Sequence, residues 1–143
     1  MSTRKQLGEQ IALLMQEVIA SAVLTNERIA RSIGLNVVDF QTYGVLLRHG
    51  EPMTPGEVSQ ATELPSSTTT RVLDRLEAKG MVERSPDPGD RRKLWVQPVQ
   101  WYDQRVNDAY ESIVNQMEGV HAGYTVAELQ TVLRYLNEIK NVR

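Results

Sequence analysis

The sequence predicts a mainly α-helical protein with a small β-wing, meaning a short hairpin inserted between helices. Two observations lead to this prediction. Apolar residues recur at three- and four-residue spacing along most of the chain, which indicates amphipathic helices. After Gly80 the apolar residues alternate over 81–84 and 94–96, which is typical of strands, and Pro86, Pro88 and Gly89 interrupt them. We therefore expect six helices, with one pair of strands between the fourth and the fifth.

Composition and charge limit the class of protein. The 143 residues are 41% hydrophobic and include no cysteine, which excludes disulfides and thiol-based sensing and agrees with a reducing cytoplasm. The net charge is −2, but residues 66–93 hold seven Lys and Arg against five Asp and Glu. This segment is therefore +2 and the remainder −4, which is compatible with an acidic body carrying a basic surface for phosphate.

The first predicted helix covers residues 5–31, where Leu7, Ile11 and Leu14 belong to an apolar stripe. Two cations precede this stretch, as they would in a signal peptide. Polar residues interrupt it, however, and the longest run without one covers only 11–15. We therefore predict neither a signal peptide nor a membrane span.

The second helix is expected to be capped by Asn36, to run to about His49 and to stop at Gly50. No second His or Cys lies near His49 in the sequence, so we predict no metal site and no cofactor. The residues expected on the core face of this helix are Phe40, Tyr43, Leu46 and Leu47.

Two short helices follow. Thr54 is expected to cap the third helix, with Glu57 placed to return a contact to the Thr54 amide. The fourth covers residues 66–79, and its start has two interpretations: either Ser66 is the cap, or Pro65 takes that position and the cap is lost. On the third helix, Val58, Ala61 and Leu64 are expected on one face, and on the fourth, Val72, Leu73 and Leu76 are expected to be buried.

The outward face of the fourth helix predicts contact with DNA. Short hydroxyl side chains and arginines near a helix start are what base edges and phosphates in the major groove require. A solvated surface would carry similar residues, but a helix-turn-helix followed by a basic wing favours DNA. On the same helix, Asp74 is expected to hold a cation. The predicted DNA-binding residues are Ser66, Ser67, Thr68, Thr70, Arg71, Arg75, Arg91, Arg92 and Lys93.

The last two helices predict a dimer. One runs from about Gln100 to Val120, and the other opens with a capping box formed by Thr125 and Glu128. Their apolar stripes, with that of the first helix, exceed what one small winged helix covers. We expect one domain over 1–143, with dimerisation helices at 1–35 and 99–143 and a winged helix-turn-helix at 36–98. Two copies would place their reading helices about 34 Å apart, on an inverted repeat.

The run TELPSSTTTRVLDRLEAKGMVERSPDPGDRRKLWV resembles the winged helix of the MarR (multiple-antibiotic-resistance regulator) family of bacterial transcription factors. The matching pieces are the STTTRVLDRLE helix, the GMVER entry to the wing, and Pro88, Asp90 and Arg92 at its tip. The resemblance implies that Asp90 pairs with an arginine and stiffens the wing, while Arg91 or Arg92 enters the minor groove. It also implies a small, often aromatic, effector that weakens DNA binding.

Tyr43, Trp101 and Tyr110 are the candidates to line an effector crevice. The alternative is that these aromatic residues pack in the core, which is the more frequent case at helical spacing. Phosphate-loop and nucleophile motifs are lacking, so we predict no enzyme. We expect a sequence-specific transcriptional regulator, a repressor acting as a homodimer on palindromic double-stranded DNA and released by a small molecule. The alternative is a winged-helix protein–protein adaptor, which would expose an apolar patch.

Overall fold

A computed structural model describes residues 1–99 and 103–143 and confirms the predicted fold class. The chain divides into two compact units, Met1–Asp103 and Gln104–Arg143. The first unit contains α1 (Arg4–Ser32), α2 (Val37–His49), α3 (Pro55–Thr62), α4 (Ser66–Ala78), β1 (Val82–Pro86) and β2 (Leu94–Pro98). The second contains α5 (Gln104–His121) and α6 (Val126–Ile139). The predicted start of α5 near Gln100 lies outside the described residues.

The ends of the helices follow local sequence signals. The Asn36 side chain accepts a hydrogen bond from the Asp39 amide at 2.8 Å, and Gly50 ends α2 with φ +78°. At α3, the Thr54 hydroxyl accepts from the Glu57 amide at 3.2 Å, which is one of the two predicted capping contacts. At α4, Pro65 occupies the cap position without a side-chain hydrogen bond. Of the two interpretations of this helix start, the structure therefore supports the one in which the cap is lost.

The core of the first unit lies between α2, α3, α4 and the hairpin. Leu46, Val58, Leu76 and Val96 are completely buried in it. One predicted core residue is wrong: Leu47 is exposed, since it lies 100° around α2 from Leu46. Ala61, predicted on the same face of α3 as the buried Val58, is also exposed. Leu64, predicted beside them, is half-buried. Two further residues of α2 are buried, Asp39 and Thr42. The apolar pattern did not identify them because they are polar.

The hairpin is antiparallel, with Arg84 opposite Val96 and Pro86 opposite Leu94. Beyond the predicted pair of strands, Met53 pairs with the other edge of β2. Its amide donates to the Val96 carbonyl at 2.8 Å, and the Val96 amide donates to the Met53 carbonyl at 2.7 Å. The hairpin root is therefore joined to the segment that precedes α3.

The apolar stripe of α1 is exposed over most of its length, and only Ile29 and Ala30 are buried. By length and composition alone, α1 is apolar enough to cross a membrane. A helix that packs against a protein partner meets the same criterion, so this property of α1 does not by itself indicate a membrane.

The second unit exposes a similar stripe. The Thr125 and Glu128 capping box forms as predicted, with contacts of 3.1 and 2.8 Å. No described residue of α5 or α6 is buried, and Leu129 and Ile139 are only half-buried.

Candidate nucleic-acid interface

The candidate interface begins with the outward face of α4. Its inward face is buried through Val72, Leu73 and Leu76, so the opposite face is the one exposed to solvent. Ser67 and Arg71 are exposed, and Thr68 is half-buried. Within the described part of the chain, none of these three side chains makes an intramolecular hydrogen bond. Their donors and acceptors are therefore available to a ligand.

Two other hydroxyl groups of α4, that of the predicted Thr70 and that of Thr69, donate to backbone carbonyls one turn earlier in the chain. The Thr70 hydroxyl donates to the Ser66 carbonyl at 3.0 Å, and the buried Thr69 hydroxyl donates to the Pro65 carbonyl at 3.1 Å. Thr70 is exposed and keeps its acceptor capacity, because its single proton is the only part engaged. Thr69, in contrast, faces the core.

Arg75 joins α4 to α2. Its Nε and Nη2 atoms donate to the two carboxylate oxygens of Asp39, each at 2.8 Å, and this bond raises the pKa of the guanidinium. The Asp39 side chain is only 2% exposed, whereas that of Arg75 is 46% exposed. Arg75 therefore has a structural contact that sequence reasoning missed, while its remaining N–H groups still face solvent.

Arg84 joins the root of the wing to α4. It donates to Asp74 at 2.7 Å and to Glu77 at 2.8 Å, so Asp74 holds a cation as expected. Hydrogen bonding to Arg84 lowers the pKa of Glu77 below its ordinary range. Arg84 was not predicted as a functional residue, and its contacts connect the hairpin to α4.

The wing tip presents the remaining predicted cations. The Asp90 carboxylate accepts from the Arg92 backbone amide at 3.0 Å and lies 3.7 Å from the Arg92 Nε atom. The arginine that Asp90 approaches is therefore in the wing itself. The Arg92 side chain is 95% exposed and Arg91 is also exposed. Lys93 lies over the Trp95 ring, 4.7 Å from its centroid.

The structure describes two of the three predicted effector residues, and they belong to different compact units. Tyr43 is buried, its hydroxyl donates to the Val99 carbonyl at 3.2 Å, and burial raises its pKa. These contacts favour the core interpretation of Tyr43. Tyr110 is exposed on α5 in the second unit, and Trp101 lies outside the described residues. No group of three or more His, Cys, Asp or Glu among the described side chains is placed to hold a metal ion.

The chain is similar in sequence to known transcriptional regulators. A family model described as "MarR family" matches residues 33–93, which include α2 to the wing tip. The chain is 26% identical over 99% of its length to YcgE, an uncharacterised HTH-type transcriptional regulator of Bacillus subtilis, and covers 91% of that protein. It is 27% identical to the HTH-type transcriptional repressor NicR of Pseudomonas putida, over 98% of the chain and 90% of NicR.

The fold is also that of a solved structure. A mutant MarR from E. coli complexed with operator DNA superposes with a TM-score of 0.59 at 20% identity, over 96% of this chain and 99% of that one. At this identity the likeness concerns the fold. The relatives named here are transcriptional regulators, in agreement with the prediction that the chain is not an enzyme.

Proposed function

We propose, from its likeness to the MarR family of winged-helix regulators, that the chain is a sequence-specific DNA-binding repressor. In the proposal it acts in the cytoplasm as a homodimer on a palindromic operator, with 36–98 as the DNA-binding region. The observation that carries the proposal is the exposed face of α4, where Ser67, Thr68 and Arg71 present unoccupied donors and acceptors on a helix anchored from behind.

The wing supplies the second contact. Arg91 and Arg92 are exposed at the end of a hairpin whose root is fixed by Arg84 and by the pairing of Val96 with Met53. A guanidinium in this position is suited to a narrow minor groove, where the negative potential is enhanced. Ser66, Thr70, Arg75 and Lys93 complete the proposed DNA-contacting set.

The dimer is supported by apolar surface. Val18 and Leu24 of α1 and Leu133 of α6 are more than half exposed, and they belong to continuous stripes. Stripes of this length are larger than a soluble monomer usually leaves uncovered. A second copy of the chain would cover them and would also give two reading helices with the symmetry of an inverted repeat.

Release by an effector is proposed from the family resemblance and not from the geometry. NicR is named a repressor, and the family resemblance implies control by a small molecule. Trp101 and Tyr110 remain candidates to contact it. Tyr43, with its hydroxyl bonded to the Val99 carbonyl, would have to contact an effector through its ring.

The proposal is tested by selecting duplexes from random oligonucleotides at low ionic strength and then measuring Arg71→Ala on the selected site. If Arg71 reads a base, binding weakens by about 1–3 kcal/mol per half-site and the preference at one base pair is relaxed. The matched control is Arg134→Ala on α6, an exposed arginine outside the proposed interface. A wild-type chain that selects no sequence would refute the proposed function.

A second measurement concerns the wing. Arg92→Ala should lower the slope of log affinity against log salt concentration by about one unit per wing, because one phosphate-neutralising charge is removed. An unchanged slope would remove Arg92 from the interface while leaving the role of α4 intact.

A further inference from the structure

The tip of the wing is organised around one carboxylate. Both oxygens of Asp87 are engaged: Oδ1 accepts from the indole Nε1 of Trp95 at 2.8 Å, and Oδ2 accepts from the Gly89 amide at 3.0 Å. The first bond connects the two sides of the hairpin, and the second shapes the turn. The bond from Trp95 lowers the pKa of Asp87, in agreement with a carboxylate that is held in its charged form.

The other side of the turn is closed by Lys93. Its carbonyl accepts from the Asp87 amide at 2.9 Å, and its ammonium lies over the Trp95 ring at 4.7 Å from the centroid. The indole of Trp95 therefore contacts Asp87 through its edge and Lys93 through its face. Cation–π contacts of this kind at exposed sites contribute modestly, so the hydrogen bond to Asp87 is the directional part of the arrangement.

Asp90 organises the interior of the same turn. Its side chain accepts from the Arg92 amide at 3.0 Å, and its carbonyl accepts from the Lys93 amide at 3.0 Å. The backbone that carries Arg91 and Arg92 is thus fixed at both ends and in the middle, while the two guanidiniums face solvent. A turn held in this way loses less conformational entropy on binding than a free loop does.

We propose that Asp87 and Trp95 are positioning residues for DNA binding: their hydrogen bond fixes the 87–93 turn and so presents Arg91 and Arg92 to the groove before contact. This inference rests on the proposed function. Neither Asp87 nor Trp95 needs to touch DNA. Their effect passes through the wing arginines, and this distinguishes a positioning role from a direct contact.

The first test uses the free protein. In ¹⁵N-labelled chain, Trp95→Phe assigns the indole signal of Trp95 against that of Trp101. We expect the Trp95 indole proton to exchange slowly with water and to lose this protection in Asp87→Ala. Fast exchange in the wild type, or protection that survives Asp87→Ala, would overturn the hydrogen bond on which the inference depends.

The second test measures DNA affinity. Trp95→Phe keeps an aromatic ring but removes the N–H donor, and it should weaken binding to the selected operator about three- to tenfold, the cost of ordering the released turn. In an Arg91→Ala, Arg92→Ala background the same substitution should have a much smaller effect, because both positioned groups are gone. The matched control is Leu94→Ala, an exposed neighbour on β2 that should bind as the wild type does.

The outcomes are separable. Equal weakening by Trp95→Phe in both backgrounds would show a general structural effect and overturn the positioning role, and so would no weakening at all. A wild type that binds no duplex would refute the proposed function, together with the positioning role. Normal wild-type binding with unaffected Trp95→Phe would overturn the positioning role alone.

Discussion

Helices α4 and α6 are nearly the same length, with 13 and 14 residues, and both have an apolar stripe. The stripe of α4 is buried, whereas that of α6 is not. Val72, Leu73 and Leu76 of α4 are buried. No residue of α6, which is described in full, is buried, and its Leu133 is 63% exposed.

The difference between α4 and α6 shows how much an apolar pattern can predict. Periodicity specifies that a helix has a face to bury, but it does not specify whether the partner is in the same chain. For α4 the partners are α2, α3 and the hairpin, all close to it in sequence. For α6 the proposed partner is a second copy, so the two helices should respond differently to mutation and to protein concentration.

The largest expected effect is on the free energy of unfolding, and it is measured by making the same Leu→Ala substitution in each helix. Leu76→Ala should lower the free energy of unfolding by about 2–5 kcal/mol, because it creates a cavity in a packed core. Leu133→Ala should cost less, and its cost should depend on protein concentration because it acts through association. Urea unfolding at two protein concentrations checks this. Equal, concentration-independent losses would show that both stripes are covered within one chain.

The next effect concerns the ion pair behind α4. Arg75→Ala should lower the free energy of unfolding without DNA by about 2–3 kcal/mol, because it leaves the buried Asp39 carboxylate unpaired. Arg71→Ala on the same helix is the control and should stay within about 0.5 kcal/mol of wild type. If both variants unfold alike, Asp39 is solvated in solution and the ion pair does not anchor α4.

A third measurement isolates association. Leu133→Glu should raise the dissociation constant of the dimer about tenfold or more, since each copy loses apolar burial and gains a charge at the contact. Thr131→Glu adds the same charge to the opposite side of α6 and should leave the dissociation constant nearly unchanged. Sedimentation velocity over a dilution series measures both, and a wild type that is monomeric throughout would refute the proposed dimer.

The smallest effect is on the pH dependence of stability. Glu77 and Glu128 have pKa values lowered below the ordinary 4.5, the first by Arg84 and the second by the Thr125 amide. Because the folded pKa is depressed, each contributes stability above the ordinary pKa that is lost as pH falls through the folded pKa. Glu77→Gln and Glu128→Gln should each slightly flatten the fall in stability below pH about 4.5.

The effects of the Glu77 and Glu128 substitutions on stability should differ in their dependence on salt concentration. High salt screens the exposed Glu77–Arg84 ion pair, whereas the contact of Glu128 with a neutral amide persists. Glu77→Gln should therefore lose its effect in high salt while Glu128→Gln keeps it, with Glu118→Gln as the control. Acid titrations of thermal stability at low and high salt measure this, and identical salt responses would contradict the assigned causes.

The sequence was sufficient for features with local signals. Gly50, Gly80 and the Thr125–Glu128 box gave helix ends that the structure confirms. The start of α1 carries the same kind of signal: Thr3 and Gln6 form a capping box, and their spacing is that of the motif. The order of the elements and the exposed face of α4 were predictable for the same reason.

Contacts between distant parts of the chain left no such signal. Asp39 and Arg75 are 36 residues apart, and no periodicity identifies a buried carboxylate or its partner. The pairing of Met53 with Val96 is equally remote, since one isolated residue forms no strand pattern. The Asp87–Trp95 bond depends on the register of the hairpin, which a count of alternating residues does not supply.

The bridge between Met53 and Val96 has a mechanical consequence. At Val96, strand β2 is paired on both edges, with Arg84 on one side and Met53 on the other. A slip of the hairpin by one residue would break bonds along both edges at once and turn every side chain of the strand over. In the proposed complex with DNA, the wing should therefore bend between Val96 and the tip, where β1 and β2 pair only with each other.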